Sequence, residues 1–228
     1  MKSWKCFIIK SMIMLVQCIL ILCLKDIIRM RAGANFVDQS SEKYNDEYRA
    51  VEYSKDPEFE RMKEELKFFP VPESTGNSDA TVSFENSWMY ERTYGGNRGH
   101  EGCDIMADIN ERGLYPIVSM SAGVVEKLGW LRQGGYRIGI RSPNGLYCYY
   151  AHLYSYADGL EEGSHVSAGE LIGYMGDSGY SDTVGTVGNF AVHLHIGFYI
   201  NDENGKEISL NPYPLLKQLE SKKLKYHY

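Results

Sequence analysis

Phe190-Ala-Val-His-Leu-His-Ile-Gly-Phe-Tyr-Ile200 is the stretch on which the reading of this chain turns. A run this rich in β-branched and aromatic residues predicts a strand. Side chains of a strand alternate faces with a period of two, so His193 and His195 point the same way. Burying two imidazoles on one apolar face without partners costs free energy, so the pair asks for something to bind.

Two further clusters precede it. Leu146-Tyr-Cys-Tyr-Tyr-Ala-His152 reads as a second strand with His152 near its end. His100-Glu-Gly-Cys-Asp104 places an imidazole and a carboxylate four residues apart. Gly99 and Gly102 disfavour a helix there, which predicts a loop running into a strand. The chain has six histidines, and four of them fall in these clusters. A single histidine beside a strand is more often structural or exposed than a ligand. An HxxxD, an AHL and an HxH in one chain are harder to set aside. Three N/O ligands with one open position form the donor set of a catalytic zinc ion, and calcium or magnesium would prefer all-oxygen shells. Glu101 invites a zincin reading, H-E-x-x-H, but the fifth position is Asp104 and Gly102 breaks the helix, so Glu101 is not read as a general base.

Together these residues resemble the lysostaphin-type, or LytM-like, zinc metallopeptidases that cut peptidoglycan. The resemblance covers about residues 80–215 and rests on Tyr94-Gly-Gly-Asn-Arg-Gly-His-Glu-Gly-Cys-Asp-Ile105, Ser121-Ala-Gly-Val-Val125, Tyr150-Ala-His-Leu153, Gly163 to Gly173, Val192-His-Leu-His-Ile196 and Asn211-Pro212. It implies a mainly β fold, an antiparallel β-sheet domain with a substrate groove. It also implies one zinc ion held by His100, Asp104 and His195, with His152 and His193 as the catalytic pair. The spacing leaves the division of labour open; His193 is favoured as base, with His152 stabilising the intermediate or protonating the leaving amine. The chain departs from the family's usual Ser/Thr-Gly-Pro before the HxH. It carries Gly188-Asn-Phe-Ala-Val192 there, after a Gly/Ser/Thr-rich loop from Asp177, and loops of this kind set substrate choice.

The remaining residues frame this site. Over 228 residues the hydrophobic fraction of 43% is ordinary for a globular chain, and a net charge of -6 without a large basic block argues against a nucleic-acid binder. No phosphate-loop motif is present, so Gly95 and Gly96 are read as turn residues. Phe7 to Leu24 is almost wholly apolar, broken by Lys10, Ser11 and Gln17. We expect residues 1–30 to be an N-terminal transmembrane helix, single-pass in the cell membrane with the following domain extracytoplasmic; secretion after signal cleavage is the alternative. Residues 31–79 are expected to be a charged stalk or linker, partly helical between Pro57 and Phe69, and residues 80–228 the metallopeptidase domain. Cys103 and Cys148 read as small buried hydrophobes, with a disulfide between them not inferable from sequence. His165 and His227 read as surface residues. Tyr147, Tyr149 and Tyr150 are candidates for either the core or the lining of a peptide groove.

The expected function is a membrane-tethered zinc endopeptidase acting on stem or cross-bridge peptides of peptidoglycan. A weakly catalytic or non-catalytic scaffold of the same fold, in wall remodelling or a sporulation channel, is the alternative. A D-alanyl carboxypeptidase also uses two His and one Asp, but it lacks this spacing.

Overall fold

The computed structural model describes residues 57–202 and 204–228. Residues 1–56, including the expected membrane segment, lie outside that range. Among the described residues no helix is long and apolar enough to cross a membrane.

The domain is mainly β and almost wholly antiparallel. Its strands are β1 (Glu73–Ser74), β2 (Val82–Phe84), β3 (Glu91–Arg92), β4 (Arg98–Gly99), β5 (Cys103–Ala107), β6 (Pro116–Val118), β7 (Gly123–Leu131), β8 (Gly135–Arg141), β9 (Tyr147–Tyr156), β10 (His165–Val166), β11 (Leu171–Met175), β12 (His193–Asn201), β13 (Glu207–Leu210) and β14 (Lys225–Tyr226). The large sheet runs β10-β7-β8-β9-β12-β5-β2, with β13 beside β12, and β11 bridging β9 to β6. Two short helices, α1 (Pro57–Glu64) and α2 (Tyr213–Leu219), accompany it.

Period-two alternation explains the layering. On β12, Leu194, Ile196 and Phe198 are fully buried, and on β5 so are Cys103 and Ile105. On β8 and β9, Ile138, Ile140, Cys148 and Tyr150 join them to form the core. The Tyr150 hydroxyl accepts a bond from the Met120 amide at 2.9 Å, which pairs the polar end of a fully buried ring. The opposite face of the same strands carries His193, His195, Asp104, Tyr147 and Tyr149, and becomes a groove.

The expected stalk over residues 31–79 differs from the structure in its C-terminal part. The helix ends at Glu64, well before Pro70. From there the chain packs: Leu66, Phe69 and Val71 are buried, the Lys67 amide bonds the Met120 carbonyl, and β1 pairs in parallel with β14. The reason is compositional. Charged neighbours at residues 63–67 surround apolar positions that are buried one at a time, so the segment reads as solvated although its hydrophobic side chains enter the core. The packed unit therefore begins ahead of residue 80.

Candidate metal centre and active site

Three neighbouring strands bring the candidate residues together. His195 on β12 faces Asp104 on β5 on one side and Ala151 on β9 on the other. Directly opposed residues of an antiparallel pair share a face, so the carboxylate and the imidazole must meet. His100 arrives from the turn between β4 and β5. Gly102 in that turn is required for close approach: a Cβ there would lie 2.6 Å from both His195 Nε2 and the Ile196 carbonyl oxygen.

The resulting cluster is tight. His100 Nε2 lies 2.9 Å from His195 Nδ1 and 3.0 Å from Asp104 Oδ1, and His195 Nδ1 lies 3.0 Å from the same oxygen. Ligands about 2.0–2.1 Å from a tetrahedral zinc ion stand roughly 3.3 Å apart, so a small adjustment accommodates the ion. This is the one His/Cys/Asp/Glu group of metal-binding geometry among the described residues. The second nitrogen of His100, Nδ1, bonds the Ser87 carbonyl at 3.0 Å. A carbonyl only accepts, so Nδ1 carries the proton and Nε2 presents its lone pair to the cluster. Burial opposes the charge on Asp104, but the imidazoles of His100 and His195 outweigh it and hold the carboxyl far below its usual range. The other Asp104 oxygen, Oδ2, is held by Arg92 Nη2 at 2.7 Å.

His152 reaches the groove by an irregularity. Strict alternation would turn it toward the core with Cys148 and Tyr150. Instead the register slips: β9 pairs Leu153 with Tyr136 and Tyr150 with Ile138, so Ala151 and His152 together oppose Arg137. This β-bulge, with His152 in the left-handed region at φ 64°, re-aims the ring. The strand also continues to Tyr156, past the expected end near His152. His152 Nδ1 donates to the Ser178 carbonyl at 2.7 Å, and His193 Nδ1 to the Ala191 carbonyl at 2.8 Å. Each ring therefore keeps Nε2 free, and His193 Nε2 lies 3.9 Å from Asp104 Oδ1. The two ring centroids are 4.7 Å apart. Burial, reinforced by His193 and His195, holds the His152 imidazole well below its ordinary pKa, so it is neutral at pH 7.

All five sequence-predicted site residues thus converge on one groove of about 610 Å³. Tyr147 and Tyr149 line it, whereas Tyr150 belongs to the core. Cys103 and Cys148 are free and buried, and burial pushes both thiols up to about 12. His165 and His227 are exposed.

Several site residues had no sequence signal. Arg92 stands 12 positions before Asp104 in a short hairpin, with nothing in its spacing to connect them. The Asp177 to Gly188 loop is anchored by Asp177, which takes a two-pronged bond from Arg112 (2.5 and 2.9 Å) and accepts from the Gly188 amide. Tyr180 of that loop stacks on Tyr94 of the β3–β4 turn, with centroids 4.5 Å apart and planes within 4°. Its ring edge also packs on His152.

Comparison with known proteins agrees with this geometry. The pattern of Peptidase family M23 matches residues 98–209. The chain is 44% identical over 152 residues to the L-Ala--D-Glu endopeptidase of Bacillus subtilis (strain 168), covering 67% of this chain and 43% of that protein. It is 30% identical over 150 residues to lysostaphin of Staphylococcus simulans, covering 60% of this chain and 27% of that one. It spans less than half the length of these curated relatives. The solved structure of the LytM-type protein of Ruminococcus gnavus ATCC 29149, assigned as a glycyl-glycine endopeptidase, superposes with a TM-score of 0.67 at 54% identity, over 72% of this chain and 64% of that one. Through residues 98–209 this chain belongs to peptidase family M23, among its lysostaphin- and LytM-like members.

Proposed function

We propose that the protein is a membrane-tethered zinc endopeptidase that hydrolyses peptide bonds in the stems or cross-bridges of bacterial peptidoglycan. The observation that carries this reading is the convergence of five side chains on one groove. His100, Asp104 and His195 present three donor atoms 2.9–3.0 Å apart, and His152 and His193 stand beside them with Nε2 free. Two neutral imidazoles and a carboxylate are the donor set that zinc favours. Bound there, zinc would activate a water for attack and polarise the scissile carbonyl.

The chain's own residues do the rest. His193, whose Nδ1 proton is fixed on the Ala191 carbonyl, has Nε2 placed to accept a proton during attack on the peptide bond. His152, neutral and held through its Nδ1 proton by the Ser178 carbonyl, also presents an Nε2 lone pair. A ring of the pair that takes the attacking water's proton on Nε2 can then donate it to the oxyanion or to the leaving amine. Arg92 holds Asp104 Oδ2 and so leaves Oδ1 for the metal. Tyr147 and Tyr149 give the groove wall aromatic surface for a peptide. Gly139 makes room for it, since any Cβ there would overlap the Tyr147 ring.

The names of two relatives support a peptide of this kind as substrate: one is an L-Ala--D-Glu endopeptidase and another a glycyl-glycine endopeptidase. The apolar run Phe7 to Leu24 supports tethering, with the domain on the extracytoplasmic side where such a substrate lies. Digestion of purified peptidoglycan by the full-length protein, with mass spectrometry of the new amino termini, tests the reading. Defined new termini are expected. Zinc-loaded protein that leaves several wall types uncut would overturn it in favour of a scaffold.

A further inference from the structure

The groove holds arginines that the reacting centre does not use. Three guanidinium groups line it: Arg98, Arg137 and Arg141. Arg141 is committed, with Nε 2.6 Å from Glu126 Oε2 and its guanidinium 4.6 Å from the centre of the Tyr147 ring. Arg98 and Arg137 have no carboxylate within ion-pair distance among the described residues, although Glu101 and Glu207 line the same groove. Each also buries a nitrogen that finds no hydrogen-bond partner there: Nε of Arg98 and Nη1 of Arg137. Arg98 Nη1 only reaches the Gly99 carbonyl, at 3.4 Å. Those two nitrogens are closed off from solvent, but the residues that carry them line the groove. A guanidinium without a carboxylate partner there has its remaining donors to offer to an anionic ligand.

Their placement says where that ligand sits. Arg137 occupies the position opposite the β-bulge of Ala151 and His152, on the same face of β8 as Gly139 and Arg141. Its neighbours Ile138 and Ile140 point into the core. Arg98 lies at the start of β4, two residues before His100. The charges of both guanidiniums reach the Tyr149 hydroxyl, so the two border one stretch of the groove wall. A guanidinium fork matches a carboxylate with two parallel N–H···O bonds, and it prefers that partner to a neutral carbonyl.

We propose that Arg98 and Arg137 form a carboxylate-binding subsite that holds a free carboxylate of the peptide beside the cut bond. This rests on the peptidase reading above and narrows its substrate class. An anionic stem bearing an unamidated glutamyl carboxylate is taken in preference to the same stem amidated, or to an oligoglycine bridge, which offers no side-chain or branch carboxylate.

The test uses the zinc-loaded full-length protein and two soluble stem peptides that differ only by amidation of the glutamyl carboxylate. The acid should show kcat/KM about tenfold or more above the amide, the difference expected from one charge-assisted pair. Arg98→Gln and Arg137→Gln should each bring the acid-to-amide ratio toward one, and Arg137→Lys, which keeps charge without the fork, should retain part of it. Equal rates on the two peptides in the wild type would overturn the subsite, as would an unchanged ratio in both glutamine variants. Cleavage of the amide reports the peptidase reading separately. If neither peptide is cut, that reading fails, and the acid-to-amide ratio of affinities by calorimetry decides the subsite by the same criterion.

Discussion

Arg92 Nη2 lies 2.7 Å from Asp104 Oδ2, while the other oxygen of the same carboxylate faces His100 and His195 at 3.0 Å each. The two oxygens therefore have separate tasks. One is oriented by a fixed cation, and the other is offered to the site where the imidazoles converge. Partners that orient a ligand in this way are worth roughly 10–100-fold in metal affinity. Arg92→Ala should weaken zinc binding by about that factor, measured by competition with a chromogenic chelator. Arg92→Lys should lose less. An unchanged affinity in Arg92→Ala would show that the carboxylate holds its position without help.

His152 and His193 stand beside the donor cluster but outside it. His152→Ala and His193→Ala should retain metal and fold, and each should lose turnover on the order of a hundredfold or more. The double variant should lose far less than the product of the two single losses, because both residues act on one transition state. Strictly multiplicative losses in single-turnover kinetics would mean that the two rings work in separate steps.

The buried imidazoles make the fold sensitive to acid. His152 and His195 are both held below the ordinary value of 6.5, chiefly by burial. Between 6.5 and their folded values, the unfolded chain binds more protons than the native one. Stability is therefore full above that window and falls as pH drops through it. Asp104, held low by His100 and His195 against the effect of burial, adds stability above the usual carboxylate range that is lost only in stronger acid. The metal-free protein should unfold at lower urea near pH 5.5 than near pH 7.5, and His152→Gln should flatten that dependence. A midpoint that does not move between the two conditions would contradict this assignment.

The loop from Asp177 to Gly188 is held at two points, the Arg112–Asp177 pair and the Tyr94–Tyr180 stack. An offset or stacked aromatic pair contributes about 0.5–1.5 kcal/mol beyond its area burial. Tyr180→Ala should raise KM several-fold while leaving zinc content at its wild-type level, because the tyrosine borders the groove and touches no donor atom. Loss of zinc in this variant, seen by elemental analysis, would place the loop in the architecture of the metal centre itself.

Much of the site was legible because strand periodicity is simple. His193 and His195 had to share a face, and the structure pairs His195 with Asp104 across β5 and β12. His100 was placed correctly in a turn by its glycines, and Gly102 proves to be needed for contact with His195. His152 was legible as a site residue but not as a geometry, since a one-residue bulge has no period. Arg92, Arg98 and Arg137 were not singled out. An arginine in a polar stretch carries no pattern until the fold shows what it faces. The segment from Leu66 to Val71 was read as a spacer for a related reason: isolated apolar residues among charges form no face until a second surface is there to receive them.

Titration of metal-free protein with zinc, followed by cleavage of purified peptidoglycan, tests the central claim most directly. Turnover should rise linearly and level off at about one equivalent of zinc, as expected for a mononuclear site. Asp104→Ala and His195→Ala should show neither stoichiometric uptake nor turnover. Cleavage that proceeds without zinc, or that survives in both variants, would contradict the assignment of His100, Asp104 and His195 as the centre of the chemistry.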